Sequence, residues 1–324
     1  MKWRALIPIL GLLGALLLLY FGFGLILNLQ DKEGFIGIRN VENILRQATP
    51  VCVAALGMTL VIVAAGIDLS VGSVVAFVSV AVAWCLRKDY PPALAMAGGV
   101  LAGGFFGLLN GLLVTRLKVG AFIVTLAMML VARGAAKGLA GEQKIDAPMS
   151  WLNDLLAVLG SGERWRIFPN GVWIMIILAL ASHFLLVKTR FGRYIVAVGS
   201  NERAAHYSGI AVDRVKLMVY LLMGLFAGFA GIMMFARLSV GDPTTAQGFE
   251  LSVIAAVVIG GASLSGGQGS ILGSILGALI MATINAGCSQ MGLANWIQEM
   301  ITGGIIIVSV LLDRIRVRGA APSS

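Results

Sequence analysis

The chain has 324 residues, of which 59% are apolar and 12% charged, with a mean hydropathy of +0.94 and a formal net charge of +9. Soluble domains carry about 25% charged residues, so the composition excludes a soluble enzyme and defines a polytopic membrane protein. The Lys and Arg gather mostly at the ends of apolar runs, where they act as topology signals, and no nucleic-acid-binding motif accompanies them.

In chain order, Lys2 and Arg4 precede an apolar run of about 25 residues ending at Leu29. That is enough to cross a hydrocarbon core of ~30 Å. It lacks the short core and small-residue cleavage site of a secretory signal, so it reads as a retained anchor. Further apolar segments lie at 44–65, 68–86, 93–114, 119–139, 170–187, 215–236, 250–262, 270–287 and 295–312. The expectation is one all-α domain over 1–324, a transmembrane helical bundle of about ten membrane elements, some of them broken or half-spanning. Alternate threading puts Arg116, Lys118, the loop 188–216 and the tail residues Arg314, Arg316 and Arg318 on the side of the N-terminus. Basic residues in short loops and at termini set orientation, so both termini are expected to be cytoplasmic and the segment 140–169 periplasmic.

Two places break the apolar pattern at membrane depth: AAGIDLSVGS at 64–73 and IGGASLSGGQGS at 259–270. Non-helical backbone survives there only where protein or a water-filled cavity satisfies it, and such breaks often flank a transport pathway. Gly-x-x-Leu-Ser recurs at 66–70 and 261–265, five positions that give slight support for an internal duplication. Gly99, Gly103, Gly107 and Gly111, Gly224 and Gly228, and Gly269, Gly273 and Gly277 recur every fourth residue. Such small-residue ridges let membrane helices approach closely.

The charged loop 188–216 holds six of the twenty-four Lys and Arg: Lys188, Arg190, Arg193, Arg203, Arg214 and Lys216. Within it Asn201 caps a short helix, Glu202 occupies a first turn that favours an anion, and Gly209 closes the helix in a left-handed conformation. A two-turn helix is marginal in water without packing, so its display on a basic loop implies a docking partner. Composition alone leaves a merely solvated connector as the other reading.

Leu264-Ser265-Gly266-Gly267-Gln268 spells the signature peptide of ABC-type ATPases. ATP hydrolysis of that kind needs a G-x-x-x-x-G-K-[ST] loop, and no Gly-Lys dipeptide occurs in the chain, so the pentapeptide is read as coincidence. His183 and His206 are the only histidines, and Cys52, Cys85 and Cys288 are isolated in or at the ends of apolar runs. Neither set suggests a triad, a metal site or a disulfide frame, so no catalytic residue, cofactor or metal is expected. Asp68 and Glu299 are the ionisable groups nearest membrane depth. Such residues are functional candidates, although Asp68 equally reads as a cap on the span that follows.

GIDLSVGS (66–73), NGLLV (110–114), AFIVTLAMMLVARG (121–134), RFGRYIVAVGSNERAAHYSGI (190–210) and ELSVIAAVVIGGASLSGGQGS (250–270) together resemble the permease subunits of ABC importers for ribose and related monosaccharides. The resemblance runs from about Val41 to Asp313. Many relatives have proline where this chain has Gly120, just before the third block. What the resemblance implies is an inner-membrane permease that pairs with a second copy of itself as a homodimer, with an ABC ATPase and with a periplasmic sugar-binding protein. Its coupling helix falls on Asn201, Glu202, Arg203, Ala204, Ala205, Gly209 and Ile210. Candidates for sugar contact along the pathway are Asp68, Ser70, Ser73, Asn110, Thr125 and Asn285, with helix packing as the competing explanation for each. Two alternatives stay open: an ABC permease for a branched-chain amino acid, a nucleoside or an autoinducer-type sugar derivative, and an ion-coupled secondary transporter.

Overall fold

The computed structural model describes the backbone of residues 3–32 and 34–320, and side chains from 8 to 311 apart from 33, 161 and 164. Lys2 and the side chains of Arg4, Arg314, Arg316 and Arg318, on which part of the topology expectation rests, lie outside that description. Twelve α-helices are described: α1 (Trp3–Leu29), α2 (Ile38–Val63), α3 (Val71–Arg87), α4 (Pro92–Arg116), α5 (Ala121–Ala140), α6 (Asn170–Lys188), α7 (Arg190–Ser200), α8 (Glu202–Tyr207), α9 (Val212–Leu238), α10 (Phe249–Ile259), α11 (Ile271–Gln290) and α12 (Asn295–Ala320). Among the described residues seven of these are long and apolar enough to cross a membrane, and α3, α10 and the first part of α12 are shorter apolar helices. Together they match the ten expected elements.

The bundle is built on α9, along which α4, α2 and α3 pack. The glycine ridges explain how. A Cβ on Gly103 would land on the Gly224 carbonyl, with the Gly228 Cα at 2.7 Å, and one on Gly107 would meet the Gly224 Cα at 2.8 Å. The backbones of α4 and α9 therefore touch, which gains dispersion contacts that no larger residue permits. The same device joins α10 to α11, where Gly273 faces the Gly260 carbonyl and Gly277 the Ala256 carbonyl. Gly99 differs, since its neighbours are the side chains of Val78, Val82 and Ile232.

Both breaks in the apolar pattern are turns between antiparallel helices. Gly57 and Gly66 meet Met223 and Tyr220, so α2 runs against α9, whereas Val78 against Gly231 and Ala83 against Gly241 show α3 running with it. The pairs Gly260–Gly273 and Ala256–Gly277 make α10 and α11 antiparallel in the same way. α2 is buried along most of its length, while α1 leaves nearly all of its surface free. α1 lies on α11, and Lys32 after it donates to the carbonyls of Gln290 (3.3 Å) and Met291 (3.0 Å), closing the carboxyl end of α11 with a cation.

At the opposite end from α8, the stretch 141–169 forms two 3-10 turns, Asn153–Leu156 and Ser161–Arg166, and a short strand β1 (Ile145–Asp146). β1 pairs antiparallel with β2 (Val240–Gly241), Ile145 opposite Gly241. Lys144 adds an ion pair to Asp242 at 3.2 Å.

Candidate functional site

α8 has the caps that its residues predict. Asn201 is extended (φ −160°, ψ 102°), and its Oδ1 accepts from the Ala204 N–H at 2.9 Å. Gly209 has φ +82°, and the N–H groups of Gly209 and Ile210 donate back to His206 (3.0 Å) and Ala205 (3.1 Å). Of this short helix Ala205 is buried, whereas Arg203, Ala204, His206 and Tyr207 are exposed. Glu202 is held by Lys216, from the first turns of α9, in a 2.7 Å ion pair. Arg203 forms no ion pair among the described residues. α8 therefore stands off the bundle on a fixed base with a polar and aromatic outer face.

The charged loop 188–216 also contains α7, a helix not among the elements expected from the sequence. Its signal was present: Phe191, Ile195 and Val198 fall on one helical face, and Thr189 caps the helix by accepting from Gly192 N–H at 3.1 Å. α7 ends in a backbone junction. A Cβ on Gly199 would land on the Val63 carbonyl at the end of α2, and the same carbonyl accepts from Gly267 N–H at 2.9 Å. A Cβ on Gly266 would in turn meet the Ala65 Cα at 3.0 Å, and one on Gly267 the Ser200 Cβ at 3.2 Å. Gly266 and Gly267 have φ of +88° and +76°, a left-handed pair that side chains disfavour. The two turns and the base of α8 thus meet at one point, and the Leu264–Gln268 pentapeptide is the turn that brings them together.

Beside this junction lies a cavity of about 960 Å³. Its walls include Ala65 and Gly66 of the first turn, Lys118 of the α4–α5 loop, Arg203 and His206 of α8, and Tyr220 of α9. Behind Gly66 and Tyr220 is a buried polar network. Asp68 Oδ1 accepts from the Ser70 N–H (2.8 Å) and the Ser70 hydroxyl (2.6 Å). Asn110 Nδ2 donates to Ser70 Oγ at 2.9 Å and reaches Asp68 Oδ2 at 3.5 Å. The Thr125 and Tyr220 hydroxyls approach the Ile67 carbonyl at 3.3 and 3.4 Å. The Asn110 Oδ1 is buried without a hydrogen-bond partner among the described residues. Ser73 is buried in the first turn of α3, one turn beyond Ser70, and Asn285 stands half-buried far along α11, outside this network.

Four of the six pathway candidates, Asp68, Ser70, Asn110 and Thr125, are therefore brought together, from two helices and the turn between α2 and α3. Asp68 bonds the N–H and hydroxyl of Ser70, the residue just before α3, while no side chain accepts from the first N–H groups of that helix. Tyr220 was missed because a tyrosine in an apolar span gives no signal of which turn it faces. Arg133 on α5 was also missed. Its Nη1 donates to the carbonyls of Pro243 (2.8 Å) and Thr245 (2.7 Å) and its Nη2 to that of Ala246 (3.4 Å). A cation inside an apolar run was the available signal. Among the described residues no group of three His, Cys, Asp or Glu could hold a metal ion.

A bundle of apolar helices with a buried polar network between packed spans, and a cavity beside that network at one end, is the arrangement expected of a membrane transport permease. The family model for the branched-chain amino acid transport system / permease component matches residues 40–310. The chain belongs to this family, and it is a multi-pass inner-membrane protein. It is 41% identical over 282 residues to the ribose import permease protein RbsC of Escherichia coli K12, covering 87% of this chain and 88% of that one. It is 40% identical to the L-arabinose ABC transporter permease protein AraH of Azospirillum brasilense, covering 87% and 82%. It is 33% identical to the xylose transport system permease protein XylH of Haemophilus influenzae, covering 86% and 90%. No solved structure matches the chain.

Proposed function

We propose that the chain is the permease subunit of an ATP-driven importer that moves a monosaccharide such as ribose into the cytoplasm. The observation that carries this reading is the placement of α8: a capped helix with an exposed outer face, joined at its base to both turns and bordering the cavity whose wall at Gly66 and Tyr220 covers Asp68 and Asn110. In this reading the α8 end is cytoplasmic, both termini lie on that side, and 140–169 faces the periplasm. A separate ABC ATPase docks on Asn201–Ile210 and supplies the energy, a periplasmic binding protein delivers the sugar, and a second copy of the permease completes the assembly in the lipid bilayer. The names of the relatives, for ribose, arabinose and xylose, support the substrate class. The unpartnered Asn110 Oδ1 supports it chemically, because a sugar hydroxyl supplies the donor that this buried acceptor lacks.

Transport then needs no covalent step in this chain. ATP and loaded binding protein favour different arrangements of the helices, and the solute passes as the population shifts between them. Asp68, Ser70, Asn110 and Thr125 offer weak polar contacts along the way, with Ser73 above them and Asn285 as a more distant contact.

The test is reconstitution with the ATPase and binding protein. Arg203→Glu is expected to abolish ribose-stimulated uptake while the ATPase still turns over, and full uptake in that variant would remove the docking assignment. Glu202→Lys also breaks the pair with Lys216, so Glu202→Lys with Lys216→Glu serves as its control. Rescue by the second change assigns Glu202 to holding α8, and continued failure assigns it to the partner. Accumulation by the permease alone, driven by an ion gradient, would favour a secondary transporter instead. Binding of an amino acid or nucleoside by the soluble partner would change the solute but not the mechanism.

A further inference from the structure

We infer that Arg133 is a positioning residue that holds closed the face of the polar site turned away from α8. The strap between β2 and α10, Asp242–Gly248, folds back over the start of α3. A Cβ on Gly72 would strike the Glu250 carboxylate, and it would meet the Ala246 carbonyl at 2.7 Å. Gly72 is two residues past Ser70, so the strap lies on the polar network from the side opposite to the cavity. Arg133 stands eight residues beyond Thr125 on α5, about 12 Å further from the α8 end.

The strap does not hold this path by its own conformation. Ala246 and Gly248 have φ of +56° and +72°, and Ala246, the non-glycine of the two, is strained. Such backbone persists only where its surroundings impose it. The Arg133 guanidinium does so by donating to three consecutive-turn carbonyls, Pro243, Thr245 and Ala246, and its planar, permanently charged fork suits that geometry where an ammonium does not. Glu250 and Asp242 are the acidic groups that face the cation, without an ion pair to it among the described residues. The Lys144–Asp242 pair and the β1–β2 pairing fasten the far end of the strap to the same segment that follows α5. Carbonyl acceptors are readily replaced by water, so the clasp is reversible: when α5 and the strap separate, the Asp68–Asn110 site opens away from α8.

That this face is periplasmic rests on the function proposed above, but the test requires neither solute nor ATPase. In the full-length chain in nanodiscs, with Cys52, Cys85 and Cys288 changed to Ala, a reporter cysteine replaces the buried Ser73, the residue after the Gly72 that the strap covers. A second reporter, in a separate sample, replaces Lys118 in the cavity wall. A bulky polar maleimide is expected to label the Ser73→Cys reporter slowly. Arg133→Gln is expected to raise that rate roughly tenfold or more, and Arg133→Lys by less, because it keeps the charge and loses the fork. Labelling of Lys118→Cys is expected to stay unchanged. An unchanged rate at Ser73→Cys in the Lys variant and the Gln variant would overturn the assignment, as would equal acceleration at both reporters, which signals general loosening. Should Arg133→Gln not accumulate as folded protein, Arg133→Lys alone decides between the two.

Discussion

Replacing Gly199 by Ala tests the junction at the foot of α8. The added methyl lands on the Val63 carbonyl oxygen, which is backbone and already accepts from Gly267 N–H at 2.9 Å. Either α7 lifts away or the end of α2 turns. Overpacking of this kind costs about 1–3 kcal/mol. Turning the carbonyl adds the loss of one hydrogen bond, about 0.5–1.5 kcal/mol. Alanine returns up to about 1 kcal/mol of helix propensity, less here because Gly199 stands in the last turn of α7. The net expectation is a destabilisation of about 1–4 kcal/mol. Gly134→Ala on α5, where a Cβ meets nothing within 4 Å, is the matched control and should be neutral or slightly stabilising. Thermal unfolding of both variants in nanodiscs measures the difference, and uptake with the ATPase present measures its consequence, since a displaced α7 carries α8 with it. A Gly199→Ala protein that melts with the control and transports at the normal rate would refute the reasoning.

Asn201→Ala should remove about 1 kcal/mol from α8 by leaving Ala204 N–H without its acceptor, read as a roughly fivefold weaker titration of the ATPase onto the permease. Asp68→Asn keeps an acceptor for Ser70 N–H and should fold nearly as the parent, whereas Asp68→Ala orphans that buried donor and should cost about 1–3 kcal/mol in thermal unfolding. Burial works to raise the Asp242 carboxyl, but hydrogen bonds from the Thr244 hydroxyl and N–H and the Lys144 ammonium outweigh it and hold the group below the usual carboxylate range. Its native value is thus below its unfolded one, so its contribution is fully present above the ordinary carboxylate value of about 3.9 and is lost as pH falls through the lower native value. Melting of the parent minus Asp242→Asn should accordingly be flat from about pH 5 to 8 and shrink only in stronger acid. A difference that changes near neutrality would contradict that sign.

Local chemistry made much of this legible in advance. The helix over 202–207 follows from Asn201 and Gly209, which act within a few residues of themselves, and the glycine ridges follow from spacing that a helix converts directly into one face. The turns at 64–70 and 260–270 follow from polar residues that lipid does not tolerate. The missing pieces are relations across the chain. Val63, Gly199 and Gly267 meet through backbone atoms, which leave no mark on residue type beyond the glycines. Glu202 is satisfied by Lys216 on the next helix, so its charge is partly spoken for within the chain. Asn285 satisfies the same polarity rule as Asn110, but its place far along α11 separates it from the network. α7 was hidden because its arginines made an amphipathic helix look like solvated linker.

The caps on α8 have a consequence for assembly. A lever that is already wound before it meets its partner has no ordering cost to settle at the moment of contact, so the affinity of that encounter is free to reflect surface fit alone. Docking then approaches a rigid-body event, and a pull exerted on those two turns passes into the glycine junction at their foot instead of being absorbed by unwinding.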